Sequence, residues 1–149
     1  MSQVHASIEI NAPIERVWET IMDPERLADW VTIHRSVGSV SERPLATGAT
    51  MQQTLRMHGV SFHVNWILRD VTAPHHAHWD GRGPAGSKAQ IGYQLSAGQG
   101  EATVFDYTND FTVPGGRLGH VASRVFVGDA SQREANRSLA RLKELLEKE

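Results

Sequence analysis

The 149-residue chain has no cysteine. That excludes thiol nucleophiles, disulfides and thiolate metal sites, and it fits a reducing compartment. It has no run of 18 consecutive apolar residues, so no stable membrane insertion is expected. The alternating start Val4-His-Ala-Ser-Ile-Glu-Ile10 is not the basic-then-apolar block of a signal peptide, and a cytoplasmic location is the default expectation. Charge of one sign is also missing. Fifteen Lys and Arg against seventeen Asp and Glu leave a formal charge of -2, without the dominant basic face that nucleic-acid binding requires. Aromatic residues are few, at 7%, and only two are tyrosines. Hydrophobic content is an ordinary 40%, enough for one packed domain over residues 1–149.

What is present is ordered by period. Val4, Ala6, Ile8 and Ile10 alternate as one face of a strand, which Asn11-Ala12-Pro13 stops. Ile14, Val17, Trp18 and Ile21 then recur at helical spacing behind Pro13 and the acidic Glu15. Asp23 reads as an N-cap with Pro24 at the first position, opening a short second helix through Trp30 to about Thr32. Six strand-like segments follow at about 34–42, 49–58, 60–72, 75–82, 87–96 and 101–112. The links between them are short and rich in Gly and Pro, which favours antiparallel neighbours. Val113-Pro-Gly-Gly116 ends this series. From Arg117 onward Leu118, Val121, Ala122 and Val125 form one helical stripe, and Ala135, Leu139, Leu142 and Leu146 another. Gly128-Asp129 falls between them, and Ser131-Gln-Arg-Glu134 matches a capping box, so one long helix with an irregularity at Gly128 is expected. The class is α+β, in the order β-α-α-β6-α.

Four segments stand out: Asn11-Ala-Pro-Ile-Glu-Arg-Val-Trp18, Asp23-Pro-Glu-Arg-Leu-Ala-Asp-Trp30, Tyr107-Thr-Asn-Asp-Phe111 and Arg137-Ser-Leu-Ala-Arg-Leu-Lys143. Together they resemble the SRPBCC superfamily, which includes START domains and birch-pollen-type allergens, and most closely its polyketide cyclase/dehydrase-like branch. Their order and spacing, across nearly the whole chain, are more specific than any one of them. The resemblance implies a helix-grip fold, a curved antiparallel β-sheet wrapped around a long C-terminal helix, with a cavity for an apolar ligand between them.

Strand parity nominates the lining. Gln53, Leu55 and Met57 share one face of their strand, and Phe62, Val64 and Trp66 share one face of the next. Trp79, Ile91 and Tyr93 follow by the same rule, then Phe105, Tyr107 and Asn109 on the last strand. Trp30 of the second helix and Leu118, Ala122 and Val125 of the C-terminal helix complete the set. Such a lining, mostly apolar with a few neutral polar groups, suits a pocket of about 300–1,000 Å³.

Catalytic signals are weak. Parity turns Asp106 and Asp110 outward, and no nucleophile-elbow or triad pattern occurs. His34, at the end of the second helix, is the best remaining titratable group, and no residue is assigned a catalytic role. His76, His78 and Asp80 alternate on one strand face, but opposite Trp79, so they belong on the outside of the sheet and no metal is expected. The Gly81–Gly86 loop joins two strands and has no helix N-terminus behind it, so it is no phosphate cradle. Arg133, Arg137 and Arg141 read as a solvated stripe, supported by pairs such as Lys143 with Glu147. The expectation is therefore a cofactor-free module that binds a hydrophobic small molecule such as a lipid, polyketide or aromatic. The alternative is a polyketide aromatase/cyclase or dehydratase in which Tyr93, Tyr107 and Asn109 orient carbonyls. A chaperone-like protein partner is a third class, and the sequence leaves the oligomeric state open.

Overall fold

The computed structural model describes residues 2–41, 45–57, 59–112 and 129–149. The chain runs β1 (Ser2–Ile10), α1 (Ile14–Ile21), a 3-10 turn (Pro24–Arg26), α2 (Leu27–Trp30), β2 (His34–Gly38), β3 (Thr50–Met57), β4 (Val60–Thr72), β5 (His76–Arg82), β6 (Lys88–Ala97), β7 (Thr103–Thr112) and α3 (Asp129–Lys148). The strands form one seven-stranded sheet in the order β1-β7-β6-β5-β4-β3-β2, every pair antiparallel. The sheet curls into a half-barrel, and the C-terminal helix lies in its grip. This is the helix-grip architecture expected from the sequence.

Local chemistry explains the turns. The Asp23 side chain accepts the Glu25 backbone N–H at 3.0 Å and opens the 3-10 turn, with Pro24 at its first position. Pro13 is the N-cap of α1, with extended backbone angles. On β4, Phe62, Val64, Trp66 and Leu68 are buried and alternate with exposed or half-buried neighbours. Val60, on the same face of the strand by parity, is 47% exposed because it stands at the strand end. A bulge at Arg69 then shifts the register between Leu68 and Asp70. The extra residue restores phase, so that Val71 stands opposite the fully buried Ala77.

Helix α3 buries Ala135, Leu139, Leu142 and Leu146, the stripe read from its period. Its ends are tied down by polar contacts. Gln132 donates to the His5 carbonyl at 2.9 Å and Lys143 to the Glu9 carbonyl at 2.8 Å, fixing the helix along β1. Arg16 of α1 donates to the Leu146 carbonyl at 3.0 Å. Lys143 and Glu147 pair as expected, and Arg133, Arg137 and Arg141 are exposed. Ser131 lies inside the helix rather than at its N-cap, so the capping-box reading is corrected: helical structure already includes Asp129. Gly128 and the stripe Leu118, Val121, Ala122 and Val125 lie outside the described residues.

Candidate functional site

Between α2, the inner face of the sheet and α3 lies an apolar cavity of about 110 Å³. It is smaller than the sequence suggested because large rings fill the space. Trp30, Tyr93 and Phe105 pack together, Phe105 edge-to-face with both of the others and Trp30 tilted against Tyr93, with Tyr93 and Phe105 centroids 5.5 Å apart. Tyr107 stacks at a tilt on Tyr93 with centroids 6.1 Å apart. Such pairs favour these offset and edge geometries.

Of the nominated residues, Trp30, Gln53, Met57 and Phe62 line this cavity, as do Ile91, Tyr93, Tyr107 and Asn109. Leu55, Val64, Trp79 and Phe105 are buried in the core beside it without reaching the cavity surface. Their parity is inward, but the sheet is longer than the cavity, and inward residues beyond its ends only pack. Trp66 illustrates this. Its ring lies across Gly81 on the neighbouring strand and borders a separate groove of about 570 Å³, lined by charged Arg69, Asp80, Arg82 and Lys88. Leu118, Ala122 and Val125 lie outside the described residues.

Strand parity alone missed the helical side. Leu27, Val31 and Ile33 border the cavity from α2 and its exit, and Ser131, Glu134, Ala135, Ser138 and Leu139 border it from α3. The signal was present: Ser131, Ala135 and Ser138 continue the Leu139–Leu142–Leu146 face by one and two turns. Glu134 is a carboxylate on the lining, which corrects the expectation of an interior free of charge. It accepts the Thr32 hydroxyl through Oε2 and the Arg137 guanidinium, at 3.1 Å, through Oε1. The Thr32 backbone N–H donates to Ser138 Oγ at 3.1 Å, so this polar cluster stitches the end of α2 to α3.

On the opposite wall, Asn109 Nδ2 donates to the Tyr107 phenol oxygen at 3.1 Å. Burial pushes the Tyr107 pKa up to about 12, and the Asn109 hydrogen bond offsets part of that rise. Tyr93 is pushed up further, by burial and by the charge Tyr107 would carry if ionised. Both phenols therefore keep their protons at neutral pH and act as donors. Two polar atoms of cavity-lining residues are buried with no partner among the described residues: Asn109 Oδ1, on a residue 6% exposed, and Trp30 Nε1, on a residue 2% exposed. Each such orphan costs about 1–3 kcal/mol.

His34 is not at the cavity. It is the first residue of β2, where a bulge at Arg35 turns it inward opposite Leu55. Trp66 Nε1–H donates to Gln53 Oε1 at 3.0 Å, and Gln53 Nε2 lies 2.9 Å from His34 Nδ1. An indole can only donate, so the Gln53 oxygen must face Trp66 and its NH₂ must face His34. His34 Nδ1 is then an acceptor and the ring is neutral, with its proton on Nε2. Burial lowers the His34 pKa in the same sense. On the outer sheet face His78 lies 3.2 Å from Asp80, and His76 3.4 Å from Asp70. The described residues contain no group of three or more His, Asp or Glu arranged to hold a metal.

A seven-stranded half-barrel closed by a C-terminal helix, with an apolar cavity between them, defines a START-like protein of the helix-grip class. The chain belongs to the polyketide cyclase/dehydrase and lipid transport family, whose profile matches residues 1–147. The Zhui aromatase/cyclase of Streptomyces sp. R1128 superposes with a TM-score of 0.79 at 15% identity, over 98% of this chain and 93% of that one. A START superfamily protein of Mycobacterium smegmatis gives 0.75 at 12% identity, over 99% of both chains. A protein of the dynemicin biosynthetic locus gives 0.67 at 22%, over 99% of this chain but 48% of its own. A curated Mycobacterium tuberculosis protein named as a toxin is 24% identical over 91 residues, 61% of this chain. The chain spans 63% of the length of that relative. None of the described helices is long and apolar enough to cross a membrane.

Proposed function

We propose that this chain binds a compact hydrophobic small molecule reversibly, with the molecule's apolar body held between the inner face of the sheet and α3. The observation that carries this reading is the 110 Å³ cavity bounded by Trp30, Met57, Phe62, Ile91 and Tyr93 in a chain of this family. Apolar protein cavities of about 150 Å³ stay dry and take up a benzene-sized guest, so the available space suits one ring or a short branched chain. A longer ligand would have to displace wall side chains.

Native mass spectrometry of the protein as purified, followed by organic extraction, tests the reading. The expected result is a small-molecule adduct that is lost from Ala135→Phe, which fills the cavity from α3. An adduct retained at full occupancy by a folded Ala135→Phe protein would place the ligand elsewhere and sink the reading.

A second reading, an aromatase/cyclase or dehydratase, draws support from Glu134, a carboxylate on the same lining as the Tyr107 and Tyr93 donors. Such a constellation could hold a carbonyl and move a proton. Both Glu134 oxygens are already engaged, one by the Thr32 hydroxyl beyond α2 and the other by Arg137 on α3, which is why binding is preferred. Turnover of a polyketide-like substrate that falls a hundredfold in Tyr107→Phe, as on losing an oxyanion donor, would reverse that order.

A further inference from the structure

The groove of about 570 Å³ crosses β3, β4, β5 and β6, away from the apolar cavity. By register Gln52, Asn65, Arg82 and Lys88 form one row over those four strands, each opposite the next. All four are exposed, and the residues just before the first three, Met51, Val64 and Gly81, are buried or half-buried, so the row stands on the outer sheet face. Arg82 and Lys88 flank a tight turn. Gly83 donates its backbone N–H to the Ser87 carbonyl at 2.9 Å, and Ser87 Oγ donates to the Pro84 carbonyl at 2.7 Å. The two strand ends that carry the cations are thereby held opposite each other.

Directly opposed residues on antiparallel strands have Cβ atoms about 4.5–5.5 Å apart, and like charges there repel. The carboxylates of this face are engaged elsewhere. Asp80 is held by Arg69 at 2.8 Å and lies 3.2 Å from His78, Asp70 lies 3.4 Å from His76, and Asp106 lies 3.6 Å from His5. Asp110 stands one row away, opposite Gln90 rather than Lys88. Among the described residues no carboxylate pairs with Arg82 or Lys88, and beyond the described side chains the sequence holds only two more, Glu42 and Asp129. Two adjacent unit cations are matched by a dianion. A phosphate monoester carries about −1.5 to −2 at pH 7, whereas a carboxylate supplies one charge. The groove is larger than a phosphate group needs, and Gln52, Asn65 and Gln90 offer donors and acceptors to whatever the phosphate is attached to.

We propose that this groove is a second binding site, for a soluble phosphate monoester of a hydroxylated, sugar-like body. The Arg82 guanidinium and the Lys88 ammonium share the phosphate oxygens, the first as a fork and the second as a point charge. The amides of Asn65, Gln52 and Gln90 hydrogen-bond the hydroxyl groups. The phosphate is held by side chains and not by the backbone of the Gly81–Gly86 loop. A bilayer headgroup is the poorer occupant, because membrane-surface sites set a broad apolar face beside their cations and amides flank these.

Ligand-detected NMR titration of glucose 6-phosphate, glucuronate and inorganic phosphate tests the site, on the wild type and on Arg82→Gln, Lys88→Gln and Arg133→Gln. All three residues are exposed, so each variant should fold as the wild type does. Glucose 6-phosphate should bind the wild type at least about tenfold more tightly than either other probe, and Arg82→Gln and Lys88→Gln should each weaken it about tenfold. Arg133→Gln removes the same charge from α3 and, at physiological salt, should change the affinity less than about twofold. An equal loss in Arg133→Gln would reduce the effect to net charge and overturn the site. So would the absence of saturable glucose 6-phosphate binding up to about 10 mM. Glucuronate binding as tightly overturns the dianion, and inorganic phosphate binding as tightly overturns the role of the amides. Binding only to phosphatidylcholine vesicles that contain phosphatidic acid, lost in Arg82→Gln, overturns the soluble ligand.

Discussion

Two buried tryptophans, Trp66 on β4 and Trp30 on α2, and two carboxamides, Gln53 on β3 and Asn109 on β7, are finished differently. Trp66 donates to Gln53, Gln53 donates to His34, and the polar atoms that join the three are matched. Trp30 and Asn109, which line the cavity, leave an indole N–H and an amide oxygen without partners among the described residues. A satisfied buried network rigidifies and specifies packing, whereas a partly satisfied one is a standing cost. The Trp66 chain links β4, β3 and β2 at a fixed register and has nothing left to offer a ligand. Asn109 and Trp30 each keep one polar atom sealed from solvent that no described residue partners. Chemical composition alone would not separate them; the partner count does.

The strongest test of the Trp66 side is steric. A Cβ added at Gly81 would lie 2.5 Å from Trp66 Cζ3 and 2.6 Å from Cε3, closer than real Cβ contacts come. The ring cannot swing away without breaking its bond to Gln53. Gly81→Ala should therefore cost about 3 kcal/mol, the upper end for overpacking, read by urea denaturation. A loss below about 1 kcal/mol would mean that the ring is free to move and the network is not the anchor described.

Next in size is the contrast between the two amides. Gln53→Leu removes the partner of a buried indole N–H and of His34 Nδ1 together, and should cost about 2 kcal/mol. Asn109→Leu deletes an acceptor that is already orphaned and one neutral hydrogen bond, so the two changes offset and less than about 1 kcal/mol should be lost. If Asn109→Leu proves as damaging as Gln53→Leu, the asymmetry between the two regions is wrong, and Asn109 is structural.

The helix-grip fold was legible because its signals are local and periodic. The Asp23-Pro24 start, the β4 alternation and the Ala135-to-Leu146 stripe each fix an element without knowledge of the rest. The site was legible only as a set of inward side chains. Parity says which way Trp66 points but not that the cavity ends before it, since that depends on how far along β4 the α3 helix lies. It is equally silent on helices, so Glu134 was read as part of a cap when it borders the cavity and bonds Thr32. Bulges are the other blind spot. The extra residue at Arg35 turns His34 toward Gln53, and no pattern in the flanking residues marks it.

The smallest expected effect is the most specific to the Trp66 chain. As an acceptor His34 is held neutral, and burial sets its folded pKa below the ordinary imidazole value of 6.5. As the pH falls below about 6.5, the unfolded chain takes up a proton at this residue before the folded protein does. Stability from His34 is thus full above that pH and is lost as the pH drops through the lower folded value. His34→Asn places an amide oxygen close to where Nδ1 lies, keeps an acceptor for Gln53 and removes the titration. Denaturation midpoints at pH 7.5 and 5.5 should therefore fall less in His34→Asn than in the wild type. The comparison cancels the other histidines, and Glu144 and Glu147, both lowered from 4.5 by their lysine partners, titrate below the window. Equal falls in the two proteins would mean that His34 accepts its proton without breaking the chain to Gln53. The tautomer inferred from the indole would then be wrong.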